Sequence, residues 1–235
     1  VDLTGYVESQ GYYTSVVFGT YRKPYIGVRP VDHAGEEYTV GRWRLTDAVN
    51  SWTWPGQEGK TAEIEVYSIG VEVELYQDGV SLGRKSLEEC RAFYQAEYRP
   101  GKLTVISYEE NGAEIGRESL VTAKETERLT LVPEEHVMKA DGEDLVYVNI
   151  QITDDDGIVK LLKDRKISVR LEGAGTLRAL ASGNPETVEK FSDAAYTSYH
   201  GRLLAIVQSN GEKGTVKVQV SAEGVEEASV ELEAK

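Results

Sequence analysis

Alternation of apolar and polar residues, interrupted by two-residue turns, is the feature of this 235-residue sequence that most restricts its fold. The stretch VEVELYQDGVSLG turns at Asp78-Gly79, and LTVISYEENGAEIG turns at Asn111-Gly112. Period-2 alternation is typical of half-buried strands. Asp-Gly and Asn-Gly favour type I′ turns, which need positive φ at both central residues. The sequence therefore predicts two successive antiparallel hairpins.

The same alternation resumes after residue 128 and continues nearly to the end of the chain. It recurs in six stretches: 128–133, 144–157, 166–173, 202–209, 215–224 and 225–232. Short strands at this spacing, without an intervening helical period, favour a β-sandwich. The polar segment TAKETER, residues 122–128, has the composition of a linker. We therefore predict an all-β chain with two consecutive β-sandwich domains that meet there.

Residues 1–50 follow a different pattern, with aromatic and apolar residues at mixed spacing. This pattern predicts one short helix near residues 9–19, followed by an extended segment that runs into Pro24. It is insufficient for a hydrophobic core of its own. We expect these residues to be either a leftover of other structure or a strap that lies on another part of the protein.

Charge and composition exclude several classes of function. Asp and Glu number 40 against 26 Lys and Arg, which gives a net charge of −14 and argues against nucleic acid and anionic membranes as partners. No stretch approaches the roughly 20 apolar residues of a membrane span, and no signal peptide pattern is present. These observations predict a soluble chain and leave its compartment open. A first residue Val1 and a single methionine, Met138, suggest a piece of a longer protein.

The motifs that could carry chemistry are better explained as structure. A calcium loop starting at Asp154 would place Ile158 and Arg165 where oxygen ligands are needed, so TDDDGIV is interpreted as a hairpin turn. The glycine-rich EGAGTL is interpreted as a turn or bulge. The three histidines are isolated, and Cys90 is flanked by acidic residues that disfavour a reactive thiolate. We predict no metal, no cofactor, no disulfide and no catalytic pair of carboxylates.

Trp52 and Trp54 are the candidate binding residues. Residues two apart in an extended segment point to the same side, so the pair would present one aromatic face. Such a face can stack on a sugar ring or be buried against neighbouring structure. Burial is favoured because Pro55-Gly56 turns the chain directly after the pair, and because Trp43 and several tyrosines could close over it.

Two parts of the sequence resemble the C-terminal domains of glycoside hydrolase family 2 enzymes of the β-galactosidase type. The stretch SWTWPGQEGKTAEIEVYSIGVEVELYQDGVSLGRK, with YRPGKLTVISYEENG after it, resembles the non-catalytic domain that follows the catalytic barrel. Independently, LVPEEHVMKADGEDLVYVNIQITDDDG and SGNPETVEKFSDAAYTSYHGRLLAIVQS resemble the immunoglobulin-like C-terminal domain of the same enzymes. The first likeness is carried by Trp52, Trp54, Pro55, Gly56, Gly79 and Gly101, and the second by Ala140, Asp141, Gly142, Gly183, Asn184 and Pro185.

This resemblance implies two immunoglobulin-like antiparallel sandwiches at residues 23–124 and 125–235, after a remnant of the last barrel helix at residues 1–22. The family's two catalytic glutamates lie on upstream barrel strands, and no residue here matches either motif. The chain would then be the non-catalytic portion of a bacterial enzyme that hydrolyses O-glycosidic bonds. Its upstream barrel would be its partner, and a homo-oligomer and a galactoside ligand remain open. The alternative is a stand-alone carbohydrate-binding or surface-adhesion module.

Overall fold

The computed structural model describes residues 1–37, 39, 41 and 45–235. The chain divides into two compact units, one made of residues 1 and 7–122 and the other of residues 2–6 and 123–235. Both units are built from β-strands, which confirms the predicted all-β, sandwich-type fold. Within the described residues, none of the helices is long and apolar enough to cross a bilayer.

The described residues of the first unit form a helix, a short 3₁₀ segment and seven strands. In chain order these are α1 (Ser9–Val17), β1 (Tyr25–Val28), the 3₁₀ segment (Val31–His33), β2 (Thr61–Tyr67), β3 (Glu72–Gln77), β4 (Val80–Ser86), β5 (Arg91–Glu97), β6 (Lys102–Tyr108) and β7 (Glu114–Val121). One sheet has the order β1-β2-β5 and the other β4-β3-β6-β7, with antiparallel pairing throughout both. Inward-facing residues of both sheets form one core.

The first predicted hairpin is confirmed in detail. Val73 and Leu75 of β3 are fully buried, while their neighbours along the strand are partly exposed. The turn residues Asp78 and Gly79 have φ of 49° and 81°, as a type I′ turn requires. The hairpin therefore forms at the predicted turn, and its strand pairing shifts register between Glu74 and Tyr76.

The second predicted hairpin forms, but the predicted turn type is wrong. Of the pair Asn111-Gly112, only Gly112 has positive φ, at 81°. Its N–H donates to the Glu109 carbonyl (2.9 Å), and the Glu109 N–H donates to the Ala113 carbonyl (2.9 Å). This is a three-residue loop in which a type I turn is followed by a left-handed glycine. The Asn-Gly pair lies one position later in the turn than the sequence suggested.

Residues 1–50 are more than a strap. The helix predicted near residues 9–19 is observed as α1, but the segment after Pro24 forms β1, an edge strand of the first sandwich. Ile26 and Val28 of β1 are completely buried in the core. A four-residue strand is too short for its alternation to stand out in the sequence, so the pattern predicts only an extended segment.

Helix α1 packs on the outer face of the β1-β2-β5 sheet. Tyr12 on the helix stacks on Tyr25 of β1 with ring centroids 4.5 Å apart, and Tyr25 stacks on Tyr67 of β2 at 5.5 Å. The buried Ser9 hydroxyl donates to the Ala48 carbonyl (2.6 Å). Cys90 packs at the edge of this tyrosine cluster as a free thiol.

The second unit contains nine strands in two sheets. They are β8 (Arg128–Pro133), β9 (Val137–Met138), β10 (Leu145–Thr153), β11 (Lys166–Gly173), β12 (Gly175–Ala181), β13 (Ala195–Thr197), β14 (Arg202–Ser209), β15 (Gly214–Ala222) and β16 (Val225–Ala234). The sheet orders are β12-β14-β10-β8 and β13-β11-β15-β16-β9. Every stretch predicted as a strand beyond residue 128 is one.

One pairing in the second unit differs from the predicted antiparallel pattern. The two-residue strand β9 runs parallel to the end of β16, with Val137 opposite Glu233 and Met138 opposite Ala234. The Lys235 N–H donates to the Met138 carbonyl (3.0 Å). A strand of two residues leaves no alternation to read, so the sequence could not reveal it.

The interpretation of EGAGTL as a turn or bulge agrees with the connection between β11 and β12. Gly173 has φ of 93°, and a Cβ there would lie 2.0 Å from the Thr215 carbonyl oxygen. Only glycine fits, because both the backbone angle and the close approach of β15 exclude a side chain. The chain passes from one sheet to the other at this point.

Candidate functional site

Trp52 and Trp54 lie in a segment without regular secondary structure that precedes β2, and both side chains are buried, with exposures of 0% and 1%. The Trp52 indole N–H donates to the Arg99 carbonyl (3.0 Å), and its ring meets Tyr98 edge to face with centroids 4.9 Å apart. The Trp54 backbone N–H donates to the Tyr98 hydroxyl (2.9 Å). Both indoles therefore belong to the core of the first sandwich.

This environment determines what the aromatic pair can do. Stacking on a sugar needs an accessible ring face, and neither indole offers one in the described structure. Burial raises the pKa of the Tyr98 phenol, although the hydrogen bond from the Trp54 N–H opposes that shift. The phenol consequently remains neutral and holds the tryptophan segment in place. Trp43, which was expected to close over the pair, lies outside the described residues.

A cleft of about 500 Å³ lies on the outer face of the β1-β2-β5 sheet. Its lining combines charged side chains with one exposed aromatic ring: Arg29, Glu63, Ile64, Glu65, Lys85, Phe93, Tyr94 and Gln95. Phe93 is 55% exposed although it lies in the middle of a strand. The Lys85 ammonium donates to the Phe93 carbonyl (2.6 Å), which fixes its position at the rim.

The acidic residues of this cleft are engaged in internal contacts. The Arg29 guanidinium pairs with Asp47 at 2.9 Å and also with Glu63. The buried Glu65 carboxylate accepts hydrogen bonds from the Thr46 hydroxyl (2.8 Å) and the Tyr67 hydroxyl. Burial, together with this carboxylate, raises the pKa of Tyr67, so the phenol stays protonated and donates. The cleft suits the binding of a polar ligand against Phe93 better than acid–base chemistry.

The acidic loop at residues 154–157 is a hairpin turn, as predicted. The buried Asp154 carboxylate accepts backbone N–H groups from Asp156 (2.9 Å), Ile158 (2.8 Å) and Lys124 (2.7 Å). Burial acts to raise the pKa of Asp154, but these hydrogen bonds outweigh burial and hold the pKa below its usual value. Its oxygens are therefore already occupied by backbone donors. Among the described residues, no group of three or more potential ligands is arranged to hold a metal ion.

The histidines occupy separate, structural positions. His33 is exposed and bonds Glu36 (2.9 Å), which with the nearby Asp32 raises the pKa of its imidazole. His200 has φ of 50° and forms a two-residue turn with Gly201, and its ring stacks on Tyr199. Nothing in this arrangement brings the histidines together.

Sequence reasoning missed Phe93, which is the exposed ring of the cleft. In the strand sequence RAFYQAE, the inward positions are Ala92, Tyr94 and Ala96, so Phe93 is an apolar residue at an outward position. An apolar residue that breaks the alternation on the solvent face was the signal that could have identified it.

Comparison with known proteins identifies two matching families. Residues 129–231 match the family described as glycoside hydrolase family 2 C-terminal domain 5. Residues 59–116 match a family described as a domain of unknown function, DUF4982. The two matches fall on the second and the first sandwich respectively.

The similar proteins are much longer than this chain. It is 29% identical over 190 residues to the β-galactosidase BoGH2A of Bacteroides ovatus, a match that covers 78% of this chain and 22% of that protein. It is 27% identical over 143 residues to a putative β-glucuronidase of Formosa agariphila, covering 57% of this chain and 13% of that protein. A glycosyl hydrolase family 2 crystal structure from Bacteroides cellulosilyticus superposes with a TM-score of 0.91 at 26% identity, covering all of this chain and 31% of that one.

Proposed function

Because this chain belongs to the C-terminal region of glycoside hydrolase family 2, we propose that it is the non-catalytic portion of a β-galactosidase-type enzyme. Its partner is an upstream catalytic barrel of the same polypeptide, which it supports. The observation that carries this proposal is the match over the whole chain to a family 2 structure at a TM-score of 0.91. The chain spans about a fifth of its first curated relative, which leaves ample length for a barrel.

The proposal is tested first by activity. The purified 235-residue chain is expected to leave nitrophenyl β-galactoside intact, because a retaining glycosidase needs two carboxyl groups roughly 5 to 5.5 Å apart and the glutamates of the cleft are engaged in internal contacts. The protein extended by its upstream coding sequence is expected to hydrolyse it. Turnover by the 235-residue chain above a heat-denatured control would refute the proposal, as would an upstream sequence that encodes further sandwiches.

The galactoside preference is the finer part of the proposal. It is supported by the longer and more similar match to a β-galactosidase than to a putative β-glucuronidase. The extended protein should therefore hydrolyse nitrophenyl β-galactoside faster than the corresponding β-glucuronide. A reversed preference would assign the parent enzyme to the other substrate and leave the structural role of this chain unaffected.

Packing, rather than sugar binding, is the role we assign to Trp52 and Trp54. Galactose is expected to leave tryptophan fluorescence unchanged, because both rings are enclosed by protein. A saturable change at sub-millimolar galactose, lost in Trp54→Ala without loss of stability, would contradict this assignment.

Carbohydrate binding is the second candidate function, and the cleft beside Phe93 is the observation that favours it. An exposed ring flanked by fixed polar side chains is a common way to hold a sugar. Titration with galactose and short galactosides, followed by chemical shifts of the β5 amides, tests this function. Shifts that saturate in the native chain and vanish in Phe93→Ala would support it, and their absence at millimolar sugar would exclude it.

A further inference from the structure

The segment that joins the two units, residues 122–127, is held in place at both of its ends. We call it the junction segment. Its polar sequence, TAKETE, is typical of a flexible linker. Its contacts are those of an ordered segment, because charged and hydroxyl side chains bind its backbone groups one after another.

On the first unit, Thr122 is bonded through both its backbone and its side chain. Its N–H donates to the Gly101 carbonyl (2.9 Å), and its hydroxyl accepts the Gly101 N–H (3.0 Å). The same hydroxyl donates to the carbonyl of Trp52 (2.6 Å). Because Trp52 is fully buried, this bond ties the end of the first unit to its core.

On the second unit, one buried lysine binds three consecutive carbonyls. The Lys160 ammonium donates to the carbonyls of Lys124 (2.8 Å), Glu125 (3.0 Å) and Thr126 (2.9 Å). An ammonium has three donors and no acceptor, so these bonds use its full capacity. Lys160 is only 6% exposed, and a buried charge is tolerated only when it is hydrogen-bonded in this way.

Carboxylates complete the attachment of the junction segment to the second unit. Asp154 accepts the Lys124 N–H (2.7 Å). The Glu127 carboxylate binds the Arg165 guanidinium, with the Nε contact at 2.8 Å. Residues 124–127 are thus bonded through amide, carbonyl and side-chain groups, and they belong structurally to the second unit.

We propose that residues 124–127 of the junction segment are an ordered part of the second unit and that Lys160 is the residue that positions them. The second unit then begins with an ordered segment at Lys124, and the first unit ends at an anchored Thr122. The proposal rests on these contacts alone and does not depend on the enzymatic role of the parent protein.

The test compares trypsin cleavage after Lys124 in the native chain, in Lys160→Met and in Lys163→Met. Cleavage requires the segment to open, so Lys160→Met should increase its rate by about tenfold or more. Lys163 is the matched control, since it is 51% exposed and its ammonium lies 3.7 Å from Glu127 without binding the segment's backbone. Lys163→Met should therefore leave the rate after Lys124 unchanged.

Hydrogen exchange distinguishes local opening from unfolding of the whole unit. In Lys160→Met, faster exchange should be confined to peptides covering residues 123–128, while β10 and β14 remain protected. If that variant does not fold, the native chain still decides the question. Exchange of the native Lys124 amide as fast as in an unfolded peptide would overturn the proposal, and so would equal cleavage rates for the native chain and folded Lys160→Met.

Discussion

The two units reach a sandwich by different means. The second unit fills its core with aliphatic side chains that alternate along regular strands, as Val148, Ile150 and Ile152 do in β10. The first unit adds two tryptophans from a segment outside any strand. A core of the first kind is specified locally by period-2 patterning, whereas a core of the second kind depends on contacts between distant parts of the chain.

The largest expected effect is the loss of the first unit's aromatic core. Trp52→Ala removes a fully buried indole, its edge-to-face contact and its hydrogen bond to Arg99. It should destabilise the first unit by about 3–5 kcal/mol. Calorimetry of the whole chain should show a lower melting temperature for the first unit and an unchanged one for the second. Phe93→Ala, at an exposed ring, is the control expected to stay within about 0.5 kcal/mol.

A single transition that shifts as one in Trp52→Ala would show that the two units share their stability. That outcome would also contradict the assignment of residues 23–124 and 125–235 as separately folding domains.

The second unit should respond to the amount of apolar volume removed. Ile150→Ala should cost about 2–5 kcal/mol and Ile150→Val about 0.5–1.5 kcal/mol, because Ile150 is fully buried in the core. Urea unfolding measures both. Leu145→Ala, at a partly exposed position of the same strand, should cost much less. Equal costs at Ile150 and Leu145 would contradict the alternation on which the comparison rests.

Alkaline pH should weaken the first unit through Tyr67. Burial and the Glu65 carboxylate raise the pKa of this phenol in the folded state, so its contribution is complete below the unfolded pKa of about 10 and is lost as the pH rises further. The slope is about 1.4 kcal/mol per pH unit in that window. The urea concentration at the unfolding midpoint is measured as a function of pH. Its decrease at alkaline pH should be smaller in Tyr67→Phe and unchanged in Tyr147→Phe, which alters an exposed position.

Acid should weaken the second unit through Asp154. Its pKa is lowered in the folded state, so its contribution is present above the unfolded pKa and is lost as the pH falls through the folded pKa. We therefore expect the free energy of unfolding to fall as the pH drops below the unfolded pKa of this carboxyl group. Asp154→Asn should remove this part of the pH dependence and the exposed Asp156→Asn should keep it. If Asp154→Asn loses as much stability at acid pH as the native chain does, the effect belongs to other carboxylates.

The predictability of each region follows from the range of the interactions that form it. Strand β10 and the Asp78-Gly79 turn could be read from the sequence because neighbouring residues determine them. Strand β1 could not, because its burial depends on β2, some forty residues later. The turn at Asn111-Gly112 was placed wrongly because two hairpin loops of different length use the same residue pair.

The candidate site was harder to predict than the fold. The aromatic face of Trp52 and Trp54 was visible in the sequence, but what covers it comes from Tyr98 and from other distant residues. Nothing in the sequence indicates that Lys160 is buried or binds backbone carbonyls, since a lysine between two strands is normally a solvated residue. Its importance arises only when the backbone brings three carbonyls to one point.

The short parallel pairing of β9 with β16 affects how the second unit would respond to mechanical force. Pulling on Arg128 and Lys235 in opposite directions would load the hydrogen bonds between these strands side by side, because the strands run in the same direction. Bonds loaded together in shear must break together, whereas an antiparallel hairpin opens one bond at a time. The few backbone bonds near the carboxyl end of β16 would then add to the resistance of β8, whose bonds to β10 the same pull on Arg128 also loads.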